Sequence, residues 1–357
     1  MSGKTRRPPL VGRYTLEEVA LAARNSGMPL EASRHDVTPV GLHYCLIHFD
    51  IPELAPPAWK LQVGGLVQRP LELSLEELRA LPARTARVTL ECAGNGRAQL
   101  SPRYPSIPWI EEGVSTAEWT GVSLGAVLDA AGLRANAREV VFWGADRGID
   151  RGLEHPFARS LVPDEARRAD VLLAYEMNGQ PLPPQHGYPL RLVVPRWYGM
   201  ASVKWLVRIE AIDRAFDGVQ QAHSYHFRKA AGERGLPCTR MRVNSLLAPP
   251  GVPDFYTRRR VLQAGRVAIR GRAWSGEGAV ARLEFAVDGE WRDAQLDAPP
   301  SAYAWQSWSA SWDAAAGEHE LACRATDDRG NAQPLAPPWD VTGFGNNAVQ
   351  RVAVTVV

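Results

Sequence analysis

The sequence predicts an α+β fold in which a mixed domain is followed by an all-β, immunoglobulin-like sandwich. The chain has 357 residues, more than one ordinary hydrophobic core accommodates, so two domains are expected. Helix and strand patterns follow each other without a regular βαβ alternation up to about residue 240, and only short β-rich runs follow. We therefore expect an N-terminal arm and helix at 1–37, a mixed domain at 38–240 and a sandwich at 241–357.

Three helices are predicted from their terminal residues. Thr15 and Glu18 have the spacing of a capping box, in which each side chain bonds to the other residue's backbone N–H, and Ser74 and Glu77 repeat it. A third helix is expected over 123–131, because a glycine suited to a C-terminal cap follows.

Strands are predicted where β-branched and aromatic residues cluster between turn signals. Two such signals, at 288–289 and 328–331, predict turns between strands of the C-terminal domain. The predicted strands are 87–91, 140–143, 190–194, 202–212, 267–273, 281–287, 320–325 and 349–357.

Composition and charge exclude several classes of protein. Hydrophobic residues make up 45% of the chain and the formal net charge is +2, so no nucleic-acid partner is expected. No apolar run approaches the roughly 20 residues that cross a bilayer. Residues 1–13 are expected to form a mobile arm. Its Lys4–Arg7 segment has a twin-arginine character, but charged residues such as Glu17 interrupt any apolar stretch after it, so we predict a cytoplasmic protein.

The most distinctive motif is the segment 88–97, VTLECAGNGR. A strand leads into a glycine-rich turn with Cys92 at its mouth, and Gly94 and Gly96 let the backbone turn tightly near a bulky ligand. Arg97 supplies a positive charge that favours a thiolate, which suits a soft or high-valent metal. Taken alone, the motif fits a buried structural cysteine at least as well. No CxxC pair occurs among the four cysteines, which argues against a zinc ribbon.

A second group of polar residues follows along two predicted strands and a glycine-containing loop: His186, Arg191, Ser202 and Lys204. A guanidinium fork, an ammonium and two single donors could converge on a phosphate. No GxxxxGK[ST] or GxGxxG motif offers a different phosphate site. The alternative is a solvated basic strand edge, which neighbouring prolines such as Pro189 make less favourable because they fix the loops.

These motifs, in this order, resemble the molybdenum domain of the sulfite oxidase family. The matching segments are CAGNGR (92–97), TAEWTGVSL (116–124), HGYPLR (186–191) and GMASVKW (199–205). The tail resembles the dimerisation domain of the same family through GRAWSG (271–276), VDG (287–289), RATD (324–327) and the segment 347–352.

The resemblance implies a molybdenum–molybdopterin cofactor, with one metal and one pterin, that carries out oxygen-atom transfer. Cys92 is implied to be the protein's ligand to the metal. Tyr225 and Trp109 are implied to lie in the active site, and Arg97 in a substrate pocket. The implied cofactor-binding residues are His48, Asp146, His186, Arg191, Ser202 and Lys204.

The resemblance also implies partners. A homodimer is expected through residues from about 241 onward. Nothing in this chain resembles the haem domain of some relatives, so a separate electron acceptor, a cytochrome or another carrier, is expected. The remaining histidines, including His43, are interpreted as surface or packing residues, and Arg258–Arg260 as a solvated turn.

Two positions depart from the family's sulfite pocket, which uses three arginines. Leu46 and Thr342 stand where the second and third are expected. Because each charge-assisted bond contributes about 1.5–3 kcal/mol, sulfite should bind weakly, unless Arg103 or Arg196 swings in. Three functions stay open: oxidation of sulfite or another sulfur compound, reduction of an S-oxide or N-oxide, or a cofactor-free binding module. The complete set of implied cofactor-binding residues argues against the last.

Overall fold

The computed structural model describes residues 14–357, so the predicted arm at 1–13 with its Lys4–Arg7 segment lies outside the described residues. The α-helices of 14–357 are all short: α1 (Leu16–Arg24), α2 (Leu75–Ala80), α3 (Leu124–Ala131) and α4 (Pro163–Ala166). Single 3₁₀ turns and one π-helical turn, Gln220–Ser224, connect the strands. No helix in this part of the chain is long and apolar enough to span a membrane.

Strands dominate both halves of the chain. Those of the first half are β1 (Leu61–Gly65), β2 (Leu71–Leu73), β3 (Ala83–Glu91), β4 (Val114–Ser123), β5 (Glu139–Asp150), β6 (Leu153–Leu161), β7 (Leu172–Met177), β8 (Gln180–Pro181), β9 (Arg191–Val193), β10 (Leu206–Ile212), β11 (His226–Phe227) and β12 (Leu236–Pro237). Those of the second half are β13 (Asn244–Leu247), β14 (Val252–Pro253), β15 (Arg260–Leu262), β16 (Gly265–Trp274), β17 (Val280–Val287), β18 (Glu290–Asp293), β19 (Gln295–Leu296), β20 (Gln306–Ala314), β21 (Gly317–Asp327) and β22 (Gln350–Val356).

The three predicted helices form with the predicted caps. Thr15 and Glu18 exchange both capping-box bonds at the start of α1, at 2.9 and 3.2 Å. Ser74 and Glu77 do so at α2, at 2.7 and 3.2 Å. α3 ends at Gly132, which has a φ of 70°, a conformation that favours glycine.

Two large sheets build the first half of the chain around a common core, and β11 and β12 form a separate two-stranded sheet. One has the strand order β2-β1-β10-β5-β6, and the other has β3-β4-β7-β8 with β9 paired to β7. Buried side chains such as Leu61, Leu90, Trp119 and Leu206 pack between them. β3 ends at Glu91, so the next residue emerges directly from the core.

The second half is a two-layer β structure. Its sheets have the orders β13-β16-β20-β19 and β14-β15-β22-β21-β17-β18. Leu247, Ile269 and Trp308 from one sheet and Phe285 and Val354 from the other belong to a single buried cluster. The expected β-rich second domain is thus confirmed, while its immunoglobulin type and the boundaries at 37/38 and 240/241 stay predictions.

A buried polar junction joins the two halves beside the end of β3. The Glu91 carboxylate accepts hydrogen bonds from Asn95 at 3.1 Å, Asn244 at 3.0 Å and the Trp274 indole at 3.0 Å. Burial raises the pKa of Glu91 to about 7, and the three donors act against that rise. Because these donors come from both halves, the junction fixes the second half against the end of β3, which leads directly into Cys92.

The N-terminal segment also contacts the second half. Glu31 forms salt bridges with Arg260 at 3.0 Å and Arg258 at 3.2 Å, and Ser33 accepts a bond from Arg272 Nε at 2.6 Å. Arg260 is only 5% exposed, so the interpretation of the 258–260 run as a solvated turn is wrong at its last residue. A guanidinium is buried there because a carboxylate and backbone carbonyls satisfy it.

Candidate functional site

A cavity in the first half collects residues from widely separated segments. Its wall is formed by His43, Tyr44, Cys45, Leu46, His48, Leu90, Cys92, Ala93, Asp146, Phe157, His186, Arg191, Gly199, Met200, Ser202, Lys204, Trp205 and Tyr225. Most of the sequence-predicted site residues are on this wall. Two of them, Arg97 and Trp109, are not among these lining residues; both are buried close to Cys92.

Cys92 stands at the cavity edge because β3 ends immediately before it. Its N–H donates to the Gly113 carbonyl at 2.8 Å, and the Gly94 N–H donates to its Sγ at 3.4 Å. Gly96 has a φ of 79°, which favours glycine, and a side chain at Gly94 would lie 2.5 Å from the Arg97 guanidinium and displace it. Burial raises the pKa of the Cys92 thiol, and Arg97 partly offsets that rise.

Arg97 is buried beside this thiol without a salt bridge to any residue of 14–357. Its Nη1 donates to the Ile107 carbonyl at 3.2 Å and its Nε to the Thr342 carbonyl at 3.3 Å. Its guanidinium carbon lies 5.2 Å from the centre of the Phe344 ring. Burial lowers the pKa of Arg97. A cation whose acceptors are neutral carbonyls keeps its charge available for an anion.

Arg191 and Lys204 form a second cationic group. Arg191 donates to the carbonyls of His186 at 3.1 Å and Ser202 at 3.2 Å. Lys204 Nζ donates to the carbonyls of Leu46 and Gln185, both at 2.9 Å. Burial lowers their pKa values to about 10 and about 8. Two buried cations side by side repel each other, so their arrangement favours a polyanionic ligand such as a phosphate.

Ser202 and Lys204 lie in a loop, not in the predicted strand 202–212. The strand β10 begins only at Leu206, because the Ser202 N–H closes a 3₁₀ turn on Gly199 at 3.1 Å. The Ser202 hydroxyl accepts from the Val194 N–H at 3.1 Å. Its own proton therefore remains able to donate to a ligand in the cavity.

His43 and His186 pair inside the cavity, with ring centroids 5.2 Å apart. Burial lowers their pKa values to about 3 and about 2, so both rings are neutral near pH 7. His43 Nε2 is buried and has no hydrogen-bond partner among residues 14–357. His43 therefore packs as expected, against Tyr44 and Trp119, and in addition lines the cavity. The sequence around His43 did not indicate this position, because His186 lies in a distant segment.

Tyr225 and His48 share a hydrogen bond at the other side of the cavity. The hydroxyl oxygen and Nε2 are 2.5 Å apart. Burial raises the pKa of Tyr225 and lowers that of His48 to about 3, so both groups are neutral near pH 7. The Tyr225 ring stacks on Phe344, with centroids 5.1 Å apart. His48 thus connects the implied cofactor group with the implied active-site tyrosine.

Asp146 and Trp109 complete the predicted set. Burial raises the pKa of Asp146 to about 6, while the nearby Lys204 acts against that rise. The Trp109 side chain is buried behind the cysteine loop, and its carbonyl accepts from the Ala98 N–H at 2.9 Å. The indole N–H makes no hydrogen bond of normal geometry within residues 14–357, although it favours the Cys92 thiolate weakly.

A loop of the second half closes over the cysteine loop. The Gly345 N–H donates to the Ala93 carbonyl at 2.8 Å, and Asn346 Nδ2 donates to the Gly96 carbonyl at 2.8 Å. Gly343 has a φ of 73°, and a side chain there would lie 2.6 Å from Arg97 Cγ. The site is therefore built by both halves of the chain.

The two departures from the arginine pattern both border the site. Leu46 is on the cavity wall, and the Thr342 carbonyl binds Arg97. Neither arginine considered as a substitute is on the wall. Arg103 forms a bidentate pair with Glu18, with both bonds at 2.9 Å, and Arg196 lies over the Tyr303 ring at 5.7 Å.

The donor set fits a metal that brings its own organic ligand. Within residues 14–357, no cluster of three or more His, Cys, Asp or Glu side chains is placed to hold a metal ion. The wall instead offers one thiol, Cys92, an unpartnered imidazole nitrogen on His43 and the cations of Arg191 and Lys204. This set fits the cofactor that the resemblance implies, because the cations suit its phosphate and the single thiol suits a metal that takes its other ligands from the cofactor.

Two family models match the chain. The oxidoreductase molybdopterin binding domain matches residues 48–220. The Mo-co oxidoreductase dimerisation domain matches residues 237–357. The two models together cover both halves described above.

Curated relatives and a solved structure agree with these models. The sulfite oxidase of Gallus gallus is 35% identical over 343 residues, with 88% of this chain and 72% of that protein covered. The mitochondrial sulfite oxidase of Mus musculus is 36% identical over 349 residues, and the chain spans 62% of its length. A nitrate reductase [NADH] of Lotus japonicus is 32% identical, with 93% of this chain and 40% of that protein covered.

The crystal structure of the sulfane dehydrogenase SoxCD from Paracoccus pantotrophus has the same fold. It aligns with a TM-score of 0.79 and 24% identity, over 100% of this chain and 96% of that one. With the cysteine loop, the cationic cavity and the tail domain all present, the chain belongs to the sulfite oxidase family of molybdopterin-binding oxidoreductases.

Proposed function

We propose that the chain is a molybdenum-cofactor oxidoreductase that transfers an oxygen atom to or from a small sulfur or related substrate. A single observation carries this proposal: Cys92 lines one cavity together with Arg191, Ser202 and Lys204, which belong to a distant part of the chain. Bound molybdenum–molybdopterin would supply a two-electron centre for oxygen-atom transfer. The protein's contribution is to bind and orient this group and to shape the space beside it.

The two ends of the cavity have different tasks. At one end, Arg191, Lys204 and the neutral His186 would hold the phosphate, with Asp146 near the pterin. At the other end, Cys92 would be the protein's ligand to the metal. Burial alone disfavours its thiolate, so deprotonation would accompany metal binding.

Arg97 and Tyr225 would face the substrate. Arg97 offers a fixed charge, and the neutral Tyr225 hydroxyl offers a hydrogen-bond donor shared with His48. Both groups are buried, where an electrostatic interaction is stronger than in water. Trp109 closes the space behind the cysteine loop and helps to exclude water.

A second direction of the same chemistry is reduction of an S-oxide or N-oxide. Leu46 and Thr342 favour it, because they leave fewer cations beside the site than a sulfite pocket with three arginines would have. A neutral or singly charged substrate loses less from that change than a divalent oxyanion does. In either direction, we propose a homodimer located in the cytoplasm and a separate electron partner, a cytochrome or another carrier.

Metal analysis of the purified protein tests the cofactor. We expect about one molybdenum and one pterin per chain, and a result without either would favour the cofactor-free binding module. Arg191→Met with Lys204→Met should lower both contents together, because the phosphate loses its cations. Arg208→Met is the matched control, since this exposed residue pairs with Glu210 on the outer face of β10.

An activity screen then tests the direction of the reaction. Sulfite and other sulfur compounds would be offered with dye electron acceptors, and S-oxides and N-oxides with dye donors. Turnover in only one of the two sets assigns the direction. A fully loaded protein inactive in both would contradict the proposed substrate class.

A further inference from the structure

The strand β6 contains a buried arginine, Arg159, that has no role in the proposed function. Arg159 is 3% exposed and forms no salt bridge within residues 14–357. One of its nitrogens, Nη1, donates to the Gln220 carbonyl, while its Nε is buried without a partner in the described chain. A guanidinium buried without a salt bridge is costly, so a role in packing alone does not explain it.

Arg159 lies against the implied active-site tyrosine. Its guanidinium carbon is 5.5 Å from the centre of the Tyr225 ring, within the range where a cation is attracted to an aromatic face. The same ring stacks on Phe344, and Phe344 in turn carries Arg97 at 5.2 Å. Tyr225 therefore belongs to a chain of contacts that links two rings and two cations.

Arg159 also holds the backbone that leads to this tyrosine. The π-helical turn Gln220–Ser224 directly precedes Tyr225, and the Gln220 carbonyl accepts from Arg159. π-helical turns are rare and often occur at functional sites. The Arg159 side chain therefore contacts both this turn, through the Gln220 carbonyl, and the Tyr225 ring that follows the turn.

We propose that Arg159 is a positioning residue that holds the Tyr225 hydroxyl against His48 Nε2. It acts through Tyr225 and not on the substrate itself. The effect on turnover rests on the proposed function, in which Tyr225 faces the substrate. The effect on the Tyr225–His48 hydrogen bond is independent of that function.

The experiment compares four variants of the cofactor-loaded protein: Arg159→Met, Arg159→Lys, Tyr225→Phe and Arg151→Met. Methionine keeps length without charge, and lysine keeps charge without a planar fork. Arg151 is the matched control, because it is exposed and donates to another carbonyl of the same turn, that of His223, at 3.4 Å.

The direct readout is the imidazole nitrogen signal of His48 in ¹⁵N-histidine NMR, assigned by its loss in His48→Gln. Tyr225→Phe should shift this signal by removing the hydrogen bond, and Arg159→Met should shift it in the same direction. Arg159→Lys should give an intermediate shift, and it serves as the test if the methionine variant fails to fold. Arg151→Met should match the unmodified protein.

Turnover gives a second readout. A misplaced tyrosine should lower kcat of Arg159→Met by about 10- to 100-fold and leave KM within about threefold. An unchanged His48 signal in Arg159→Met would overturn the proposal. If Tyr225→Phe shifts the signal but leaves kcat unchanged, positioning stands and the proposed role of Tyr225 fails.

Discussion

The sulfur of Cys92 is the single atom through which the protein is expected to bind the metal. Cys92→Ser should lower turnover by at least about 100-fold, because even changes in the outer shell of a metal site cost 10- to 100-fold. Pterin content should survive, since Arg191 and Lys204 hold the phosphate from other segments. Steady-state kinetics and pterin analysis of the purified variant check both points.

The control for this variant is Cys45→Ser. Cys45 also lines the cavity, but it lies outside the cysteine loop, and its thiol makes a long contact of 3.8 Å with the Gln185 carbonyl. It should keep most of the turnover. Wild-type activity in Cys92→Ser would show that the ligand is assigned wrongly.

Substrate charge depends on Leu46 and Thr342. Leu46→Arg with Thr342→Arg should lower KM for sulfite by tenfold or more, because attraction between close charges in a partly buried site is about 4 kcal/mol per pair before desolvation. Leu46→Gln with Thr342→Gln controls for size without charge. Kinetics at several salt concentrations measure the effect. Tight, salt-insensitive sulfite oxidation by the unmodified protein would contradict this view of the pocket.

At the scale of elements, a buried ion pair anchors the helix α1 to the segment that contains Arg103. Glu18 binds Arg103 in the segment before Trp109, and their side chains are 1% and 7% exposed. The hydrogen bond from Arg103 is the main cause that lowers the pKa of Glu18 below its usual 4.5. The pair therefore stabilises the folded state fully above about pH 4.5, and this contribution is lost as the pH falls through the lowered value.

Glu18→Gln should make α1 open more readily, because it weakens charge-assisted hydrogen bonds that contribute about 1.5–3 kcal/mol each. Hydrogen exchange of the α1 backbone at pH 7 measures this change. Glu17→Gln, on the exposed face of the same helix, should exchange like the unmodified protein. Unmodified protein whose α1 protection does not decline below pH 4 would argue against the ion pair as its anchor.

The helix starts could be predicted from local sequence, but one strand boundary could not. The capping boxes at Thr15 and Ser74 were predictable, because both partners lie within four residues. The start of β10 was not. The predicted strand began at Ser202, but contacts with Gly199 and Val194 hold this residue in a loop that faces the cavity.

At the scale of the whole molecule, the tail is expected to form a homodimer. Its family model is a dimerisation domain, and it covers residues 237–357. Light scattering at micromolar concentration should give a mass near twice 39.2 kDa. A monomer mass that persists as the protein concentration rises would count against the assembly, without affecting the cofactor site.

The sequence by itself determined the order of the domains, the helix caps, the cysteine loop and the family. Each of these features depends on short segments of sequence, in which residues close along the chain interact directly. Only the tertiary structure decided that His43, Arg159 and Phe344 join the site, because the partners of each lie in distant segments. It also decided their charge environment. Burial, which no local pattern specifies, keeps His43 neutral and lowers the pKa of Arg159, which forms no salt bridge within residues 14–357.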